Sequence, residues 1–269
     1  MATVRVGGSD IAYSDEGQGP PVVLLHGGGS NRRQWKPLAA LLADRYRVIA
    51  PDLHGHGDSS PWSQAAAPAL ADFGAIVRAV TAGIDGRAHV VGHSGGGAFA
   101  LAHALRNPDA VASLVLIEPT LTHLLLLAGR ETAWQEVHAV GTRHGELIAR
   151  GEIEACADVF LPYWIGQSAW DATPPDRRAA IVATMPTVAH FWRATFAETT
   201  PLDAYAAITA PVLLMRGTQT SRASHEIVDL LGDILPNATL VEIEKAGHRS
   251  PLTHAEEVNA AIAAFLDGI

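Results

Sequence analysis

The chain has 269 residues, of which 48% are hydrophobic and 17% are charged. This balance is typical of a globular protein with one or two domains and argues against a disordered chain. The 28 acidic and 19 basic residues give a formal net charge of −9, which disfavours nucleic acid or an anionic membrane surface as a partner.

Cysteine content and the first residues bear on the compartment. A single cysteine, Cys156, excludes an intramolecular disulfide and fits a reducing compartment, where it is most simply a small buried hydrophobic residue. The start, MATVRVGGSD, lacks the apolar region of a secretion signal, and the apolar run at 124–129 is too short to span a bilayer. We therefore expect a cytoplasmic enzyme or binding protein with no membrane partner.

Short apolar runs alternate with helix-like segments along most of the chain. In chain order, the pattern predicts strands at 22–26, 46–53, 88–94, 113–119, 210–217 and 238–244, a helix at 97–106 and a closing helix at about 254–267. Continuous apolar strands joined by helical crossovers are typical of a parallel sheet covered on both faces. The predicted fold class is α/β.

This alternation is absent between about 120 and 205, where helix-like sequence is interrupted by prolines. We predict a helical cap at 120–205 over the ends of the sheet, with 1–119 and 206–269 forming the core. Four of the six tryptophans lie in this segment, and most are expected to pack between cap and core. We expect Leu121, Trp164 and Trp170 to shape an apolar substrate pocket.

The sequence GHSGG at 92–96 matches G-x-S-x-G directly after a predicted strand and before a predicted helix. A sharp turn there would hold Ser94 in a strained conformation, and Gly92 and Gly96 would let the neighbouring chain pass. The hydroxyl would then stand at the carboxyl end of the sheet, above a helix N-terminus that favours negative charge. Ser94 is therefore a candidate nucleophile, and an ordinary glycine turn is the alternative.

The sequence HGGGS at 26–30 follows another predicted strand. A glycine-rich turn exposes backbone N–H groups that can stabilise an oxyanion. Gly28 is the predicted donor, with Gly29 as the alternative, and the N–H of Gly95 is the predicted second donor. A phosphate loop would need GK[ST] or G-x-G-x-x-G, which are absent, and a simple tight turn stays open.

His248 lies in EKAGHRSPLTH, between the last predicted strand and the last helix. A base at that point can reach back over the sheet to Ser94. His54 and His56 could suggest a metal site, but two histidines at i, i+2 without matching acids are weak evidence. His93 is expected to face away from the site.

Together these motifs resemble the α/β-hydrolase superfamily. The likeness includes strand-HGGG, strand-PDLHGHGDS, strand-GHSGG, strand-IEP, a helical insertion, strand-PVLLMRG and a GH near the end, and it covers residues 3–267. It implies a mostly parallel central sheet flanked by helices with a helical cap insertion. It also implies an acid that orients the histidine and stabilises its protonated form.

In most of the family, this acid follows the strand that reads PVLLMRG here, yet 218–224 is TQTSRAS, without Asp or Glu. Some relatives carry the acid at the end of the strand after the nucleophile helix, where Glu118 stands. Glu118 is therefore the predicted acid, and Glu226 and Asp229 are the reserve candidates. The alternative is that Glu118 caps the turn or pairs with an arginine of the insertion.

The resemblance implies hydrolysis of a small, hydrophobic carboxylic ester through an acyl-enzyme, without metal or organic cofactor. Hydrolysis of carbon–carbon bonds or lactones, perhydrolase chemistry, and a ligand receptor with slow turnover stay open. A serine disfavours dehalogenase and epoxide hydrolase chemistry, which use an aspartate in this superfamily. The residue after the nucleophile is usually bulky in the family, so Gly95 implies a wider acyl pocket or a less fixed oxyanion donor.

Overall fold

The computed structural model describes all 269 residues. The strands are β1 (Ala2–Val6), β2 (Ser9–Glu16), β3 (Pro21–Leu25), β4 (Arg47–Pro51), β5 (Ala88–His93), β6 (Val111–Ile117), β7 (Val212–Gly217) and β8 (Ala238–Ile243). They form one 8-stranded sheet in the order β1-β2-β4-β3-β5-β6-β7-β8. Strands β3 to β8 pair in parallel, whereas β1 and β2 are antiparallel. The predicted α/β-hydrolase fold is confirmed.

The helices flank this sheet and fill the segment between β6 and β7. They are α1 (Lys36–Leu42), α2 (Leu70–Val80), α3 (Gly95–Arg106), α4 (His123–Leu127), α5 (Glu131–Ala149), α6 (Ile153–Ile165), α7 (Gln167–Asp171), α8 (Pro175–Val182), α9 (Met185–Phe196), α10 (Arg222–Ile234), α11 (Ser250–Thr253) and α12 (Ala255–Asp267). Short 3-10 turns lie at Arg32–Trp35, Pro108–Ala110 and Leu202–Ala207. No helix combines the length and apolarity needed to cross a membrane.

The apolar strands are continuous because both faces of the sheet are buried. In β3, Val23 and Leu25 join one hydrophobic cluster, whereas Val22 and Leu24 join the cluster on the other side. Successive side chains of a strand point to opposite faces, so an unbroken apolar run is needed to cover both. These four side chains are fully buried, and each contributes roughly 1.5–3 kcal/mol relative to exposure.

Helices α4 to α9 occupy the segment that the sequence assigns to the cap. The two ends of this segment meet through Thr195, whose hydroxyl donates to the carbonyl of Thr120 at 2.9 Å. Trp164 on α6 and Trp192 on α9 stack with ring centroids 6.2 Å apart. Helices from different parts of this segment therefore converge beside Ser94, at the carboxyl end of β5.

Buried histidines make the fold sensitive to acid. Burial lowers the pKa to about 4 in His54, His56, His103, His123 and His144. An unfolded histidine takes up a proton near pH 6.5, so between about pH 6.5 and 4 the unfolded chain binds more protons than the native one. The stability that these neutral histidines allow is therefore fully present above pH 6.5, and the free energy of unfolding decreases as the pH falls from about 6.5 to 4.

We expect the melting temperature to be nearly constant above pH 7 and to fall progressively from about pH 6.5 to 4. Circular dichroism melts across this range measure it. His144→Leu is the matched variant, because both ring nitrogens of His144 are buried without partners. Its melting temperature should depend less steeply on pH, and an equal slope for the two proteins would contradict the assignment.

Candidate active site

Ser94 lies in the turn between β5 and α3, with φ +55° and ψ −121°. A Cβ on Gly96 would come within 2.5 Å of the Leu25 carbonyl oxygen, and a Cβ on Gly92 within 2.5 Å of the Gly96 carbonyl oxygen. Real Cβ atoms do not approach backbone this closely, so both positions require glycine. This strained turn, which the G-x-S-x-G pattern predicts, presents the Ser94 hydroxyl at the end of the sheet.

His248 connects Ser94 to Glu118 through both ring nitrogens. Its Nδ1 lies 2.6 Å from Glu118 Oε2, and its Nε2 lies 3.0 Å from Ser94 Oγ. A carboxylate only accepts, so Nδ1 carries the proton and Nε2 is free to accept from the serine hydroxyl. The structure thus brings together the three residues that the sequence nominates.

Glu118 follows β6 directly and is fully buried. Its other oxygen, Oε1, accepts the Gly217 N–H at 2.8 Å, and the Thr220 hydroxyl donates to Oε2. Burial alone raises the pKa of Glu118, but the hydrogen bond and charge of His248 and these two donors outweigh it and hold the pKa below its ordinary value. An acid can end an apolar strand here because its carboxylate is fully partnered.

The two reserve candidates for the acid, Glu226 and Asp229, lie on α10 and do not pair with His248. Asp229 forms an ion pair with Arg216. The one carboxylate that pairs with His248 is that of Glu118.

The expectation that His93 faces away from the site is wrong. Its Nε2–H donates to the carbonyl of His248 at 2.8 Å, and its Nδ1 lies 3.3 Å from the side-chain nitrogen of Gln34. Burial, and then the neighbouring His248, lower the pKa of His93 to about 3. A neutral His93 therefore holds the backbone of the loop that carries His248.

Gly28 and Gly95 are the two backbone donors that remain open beside Ser94. Both line the same cavity as its hydroxyl, and neither N–H donates to another protein group. The N–H of Gly29 instead donates to His56 Nε2 at 3.2 Å, which removes the alternative donor. His56 in turn donates from Nδ1 to the His54 carbonyl at 2.8 Å, so the imidazole fixes the turn.

A small cavity of about 30 Å³, here called the apolar chamber, opens beside Ser94. It is lined by Gly28, Ser94, Gly95, Thr120, Phe160, Trp164, Val188, Phe191, Trp192 and Thr195. Its volume matches roughly two water molecules. Phe191 and Phe99 lie within 4 Å of where a Cβ on Gly95 would stand, so aromatic side chains border the chamber at this glycine.

Only one of the three nominated pocket residues lines this chamber. Trp164 does, and its ring also stacks on that of His248 with centroids 4.3 Å apart. Leu121 is fully buried in the core, and Trp170 donates to Asp158 at 2.7 Å beneath the guanidinium of Arg178, so both expectations are wrong. Hydrophobicity alone does not tell which face of a cap helix meets the site.

Sequence reasoning missed the contribution of α9. Val188, Phe191, Trp192 and Thr195 all line the chamber, and their spacing of i, i+3, i+4 and i+7 defines one helix face. That spacing is the signal that could have identified them.

A second cavity of about 50 Å³, here called the arginine chamber, lies on the His248 side of Ser94. It is lined by Gly28, Gly29, Ser30, Gln34, His93, Ser94, Phe160, Leu161, Trp164, Ile165, Arg177, Ile181, His248, Arg249 and Leu252. An outer cavity of about 620 Å³ shares Arg177, Ile181 and Leu252 with it.

The sequence matches known hydrolases over most of its length. A model described as "Alpha/beta hydrolase family" matches residues 22–261. The chain is 24% identical to a pimeloyl-[acyl-carrier protein] methyl ester esterase of Aliivibrio fischeri, over 96% of this chain and 98% of that protein. It is 28% identical to an (E)-2-((N-methylformamido)methylene)succinate hydrolase of Acinetobacter baylyi, over 95% of this chain and 93% of that one.

Among solved structures, the enol-lactonase from Burkholderia xenovorans superimposes with a TM-score of 0.81 at 21% identity, covering 99% of this chain and 100% of that chain. At this identity the likeness shows the fold. The family match, in contrast, extends over most of the sequence, from β3 into α12. The chain therefore belongs to the α/β hydrolase family.

Proposed function

We propose that this protein is a serine hydrolase that cleaves carboxylic esters through an acyl-enzyme, with Ser94 as nucleophile, His248 as base and Glu118 as the acid. The observation that carries the proposal is the hydrogen-bonded row Glu118–His248–Ser94, with distances of 2.6 and 3.0 Å. A nucleophile, a base and an orienting acid in this order are what acyl transfer requires.

Each step of the reaction has a group in place. His248 Nε2 takes the proton as Ser94 Oγ attacks the ester carbonyl, and the N–H groups of Gly28 and Gly95 bind the oxyanion. His248 then gives the proton to the leaving alcohol. Water then attacks the acyl carbon as His248 removes its proton. The bond between this carbon and Ser94 Oγ breaks as His248 gives the proton to Oγ, which releases the acid and restores Ser94.

Ester hydrolysis is favoured over the other reactions of this fold. The nucleophile is a serine, and a serine ether formed from a haloalkane or an epoxide would be a dead end. A relative at 24% identity is a methyl ester esterase, so ester chemistry occurs among proteins that match this chain nearly end to end. A lactone is a cyclic ester and would follow the same steps.

The apolar chamber sets the size of the acyl group. A volume of about 30 Å³ between Phe160, Phe191 and Trp192 accommodates a two- or three-carbon acyl chain more readily than a long one. We propose short acyl esters as substrates.

The test is steady-state hydrolysis of p-nitrophenyl esters from acetate to dodecanoate, with Ser94→Ala as the control. We expect sustained turnover that is highest for acetate or propanoate and is absent in Ser94→Ala. Labelling with a fluorophosphonate, followed by mass spectrometry, should place the adduct on Ser94. A single burst without turnover would indicate a receptor, and no labelling would contradict the nucleophile assignment.

A further inference from the structure

The arginine chamber contains two cations without partners. Arg177 comes from α8, and Arg249 directly follows His248 in the chain. Neither guanidinium forms an ion pair within the protein. In contrast, the adjacent Arg178 lies 3.8 Å from an oxygen of Asp158 and donates to the Trp170 carbonyl at 2.8 Å.

Two acids, Asp52 and Asp58, line the outer cavity that Arg177 also borders, but both of them pair with Arg32. No Asp or Glu is among the residues that line the arginine chamber, although the chain as a whole carries a net charge of −9. Burial, and then the charge of Arg177, lower the pKa of Arg249. Arg249 is half-buried and Arg177 is exposed, and two cations at one chamber without an anion repel each other, so an anion supplied from outside would be bound favourably.

The position of His248 indicates which part of an ester lies here. His248 lines the arginine chamber and is absent from the lining of the apolar chamber. It must pass its proton to the leaving alcohol, so the alcohol portion lies on the arginine side and the acyl portion on the apolar side. This assignment of the two chambers rests on the proposed function.

We propose that Arg177 and Arg249 form an anion-binding subsite for the alcohol portion of the substrate. The preferred substrates are then short-chain acyl esters whose alcohol carries a carboxylate or a phosphate, the groups that a guanidinium binds in paired hydrogen bonds. The outer cavity of about 620 Å³, which shares Arg177, has room for the remainder of a larger alcohol.

An anion in this subsite also assists the reaction. When His248 becomes an imidazolium, the chamber is lined by three positive charges: those of His248, Arg177 and Arg249. A bound carboxylate or phosphate offsets this repulsion as the charge develops. The gain should therefore appear in kcat/KM for anionic esters.

The experiment compares three acetate esters with similar ring size: 4-acetoxybenzoate, 4-acetoxyphenyl phosphate and the neutral 4-acetoxybenzamide. We expect kcat/KM for the better anionic ester to exceed that of the amide by roughly tenfold or more. Arg249→Gln and Arg177→Gln should each lower this ratio by roughly tenfold. Comparison of kcat/KM for 4-acetoxybenzoate and 4-acetoxyphenyl phosphate shows whether the subsite prefers a carboxylate or a phosphate.

Arg193→Gln is the matched control, because Arg193 is an exposed cap residue that lines none of the three cavities. It removes the same charge and should leave all three rates unchanged. Arg177 is itself exposed, so its substitution does not endanger folding.

Failure of the subsite and failure of the esterase proposal give different results. Hydrolysis of all three esters with equal kcat/KM, unaffected by Arg249→Gln and Arg177→Gln, would overturn the subsite and leave the esterase proposal standing. If no ester is hydrolysed, calorimetry of 4-hydroxybenzoate and 4-hydroxybenzamide with Ser94→Ala decides the subsite. Tighter binding of the benzoate that is lost in Arg249→Gln supports it, and equal binding overturns it.

Discussion

Replacing Glu118 by glutamine should lower kcat by roughly 10³- to 10⁴-fold in a protein that stays folded. The reason lies in the donors around the carboxylate. Oε1 accepts from the Gly217 N–H, and Oε2 accepts from His248 Nδ1–H. An amide has one accepting oxygen and one donating nitrogen, so it cannot serve both sides.

Either orientation of the amide is unfavourable. If its oxygen faces Gly217, its NH₂ group donates to His248 Nδ1 and moves the imidazole proton to Nε2, which can then no longer accept from Ser94. If its oxygen faces His248, the NH₂ group meets the Gly217 N–H, and a buried donor is left unpaired at a cost of about 1–3 kcal/mol. In both cases the imidazolium loses its counter-charge.

Steady-state kinetics with the preferred p-nitrophenyl ester measure the effect, and circular dichroism confirms the fold. Glu226→Gln and Asp229→Asn are the matched controls, because both remove a carboxylate from α10 without touching His248. Near-normal kcat for Glu118→Gln, or a large loss in either control, would mean that another acid orients His248.

The sequence explains only in part why Glu118, and no acid after β7, pairs with His248. The loop after β7 lacks an acid, and the structure shows that the last residue of β7 and this loop instead supply donors: the Gly217 N–H and the Thr220 hydroxyl both point to Glu118. Glu118 itself has φ +45°, a conformation that is uncommon for a residue with a side chain. A pairing across 99 positions of sequence cannot be read from local pattern.

Strands with a run of apolar residues were predicted from the sequence, whereas the two strands without such a run, β1 and β2, were missed. Strands β3 to β7 contain runs of buried apolar residues, and the edge strand β8 was predicted from its apolar residues although most of it is exposed or half-buried. In contrast, β1 (ATVRV) alternates between exposed and partly buried residues. β2 contains polar and charged residues throughout and pairs with β4 in antiparallel register. Their stability comes from pairing partners, which a single run of sequence does not reveal.

The helical segment at 120–205 also shows that contacts between distant elements cannot be predicted from local sequence. Its helical character follows from composition and prolines, but the faces that meet the site depend on how the helices cross. Trp164 and Trp170 lie six positions apart, yet one lines both chambers and the other binds Asp158. The proximity of Arg177 to Arg249 likewise depends on how α8 packs over the loop after β8.

Gly95 and Gly96 are adjacent in the turn that carries Ser94, and we expect alanine to destabilise the protein at Gly96 but not at Gly95. An alanine Cβ at Gly96 would lie 2.5 Å from the Leu25 carbonyl oxygen and 2.7 Å from that of His26. Both atoms are backbone of the strand end and turn that carry Gly28, so they cannot move without distorting the site. Gly96→Ala should destabilise the protein by about 4 kcal/mol or more, or prevent folding.

At Gly95 the nearest atom to an added Cβ is Phe191 Cδ2 at 3.5 Å, an ordinary contact. Gly95 begins α3, so alanine suits its backbone, and the melting temperature should stay within a few degrees of the parent. The N–H stays in place for the oxyanion, while the methyl group reduces the apolar chamber. The kcat/KM ratio of acetate to butanoate esters should therefore rise severalfold.

Thermal melts test the expectation for Gly96→Ala, and kcat/KM for the acetate and butanoate p-nitrophenyl esters tests the one for Gly95→Ala. Equal melting temperatures for Gly96→Ala and the parent would contradict the close packing of the turn at 92–96 against the end of β3. An unchanged acetate to butanoate ratio in a folded Gly95→Ala would mean that the acyl group lies outside the apolar chamber. The acyl and alcohol portions would then have to be reassigned, because His248 lines only the other chamber.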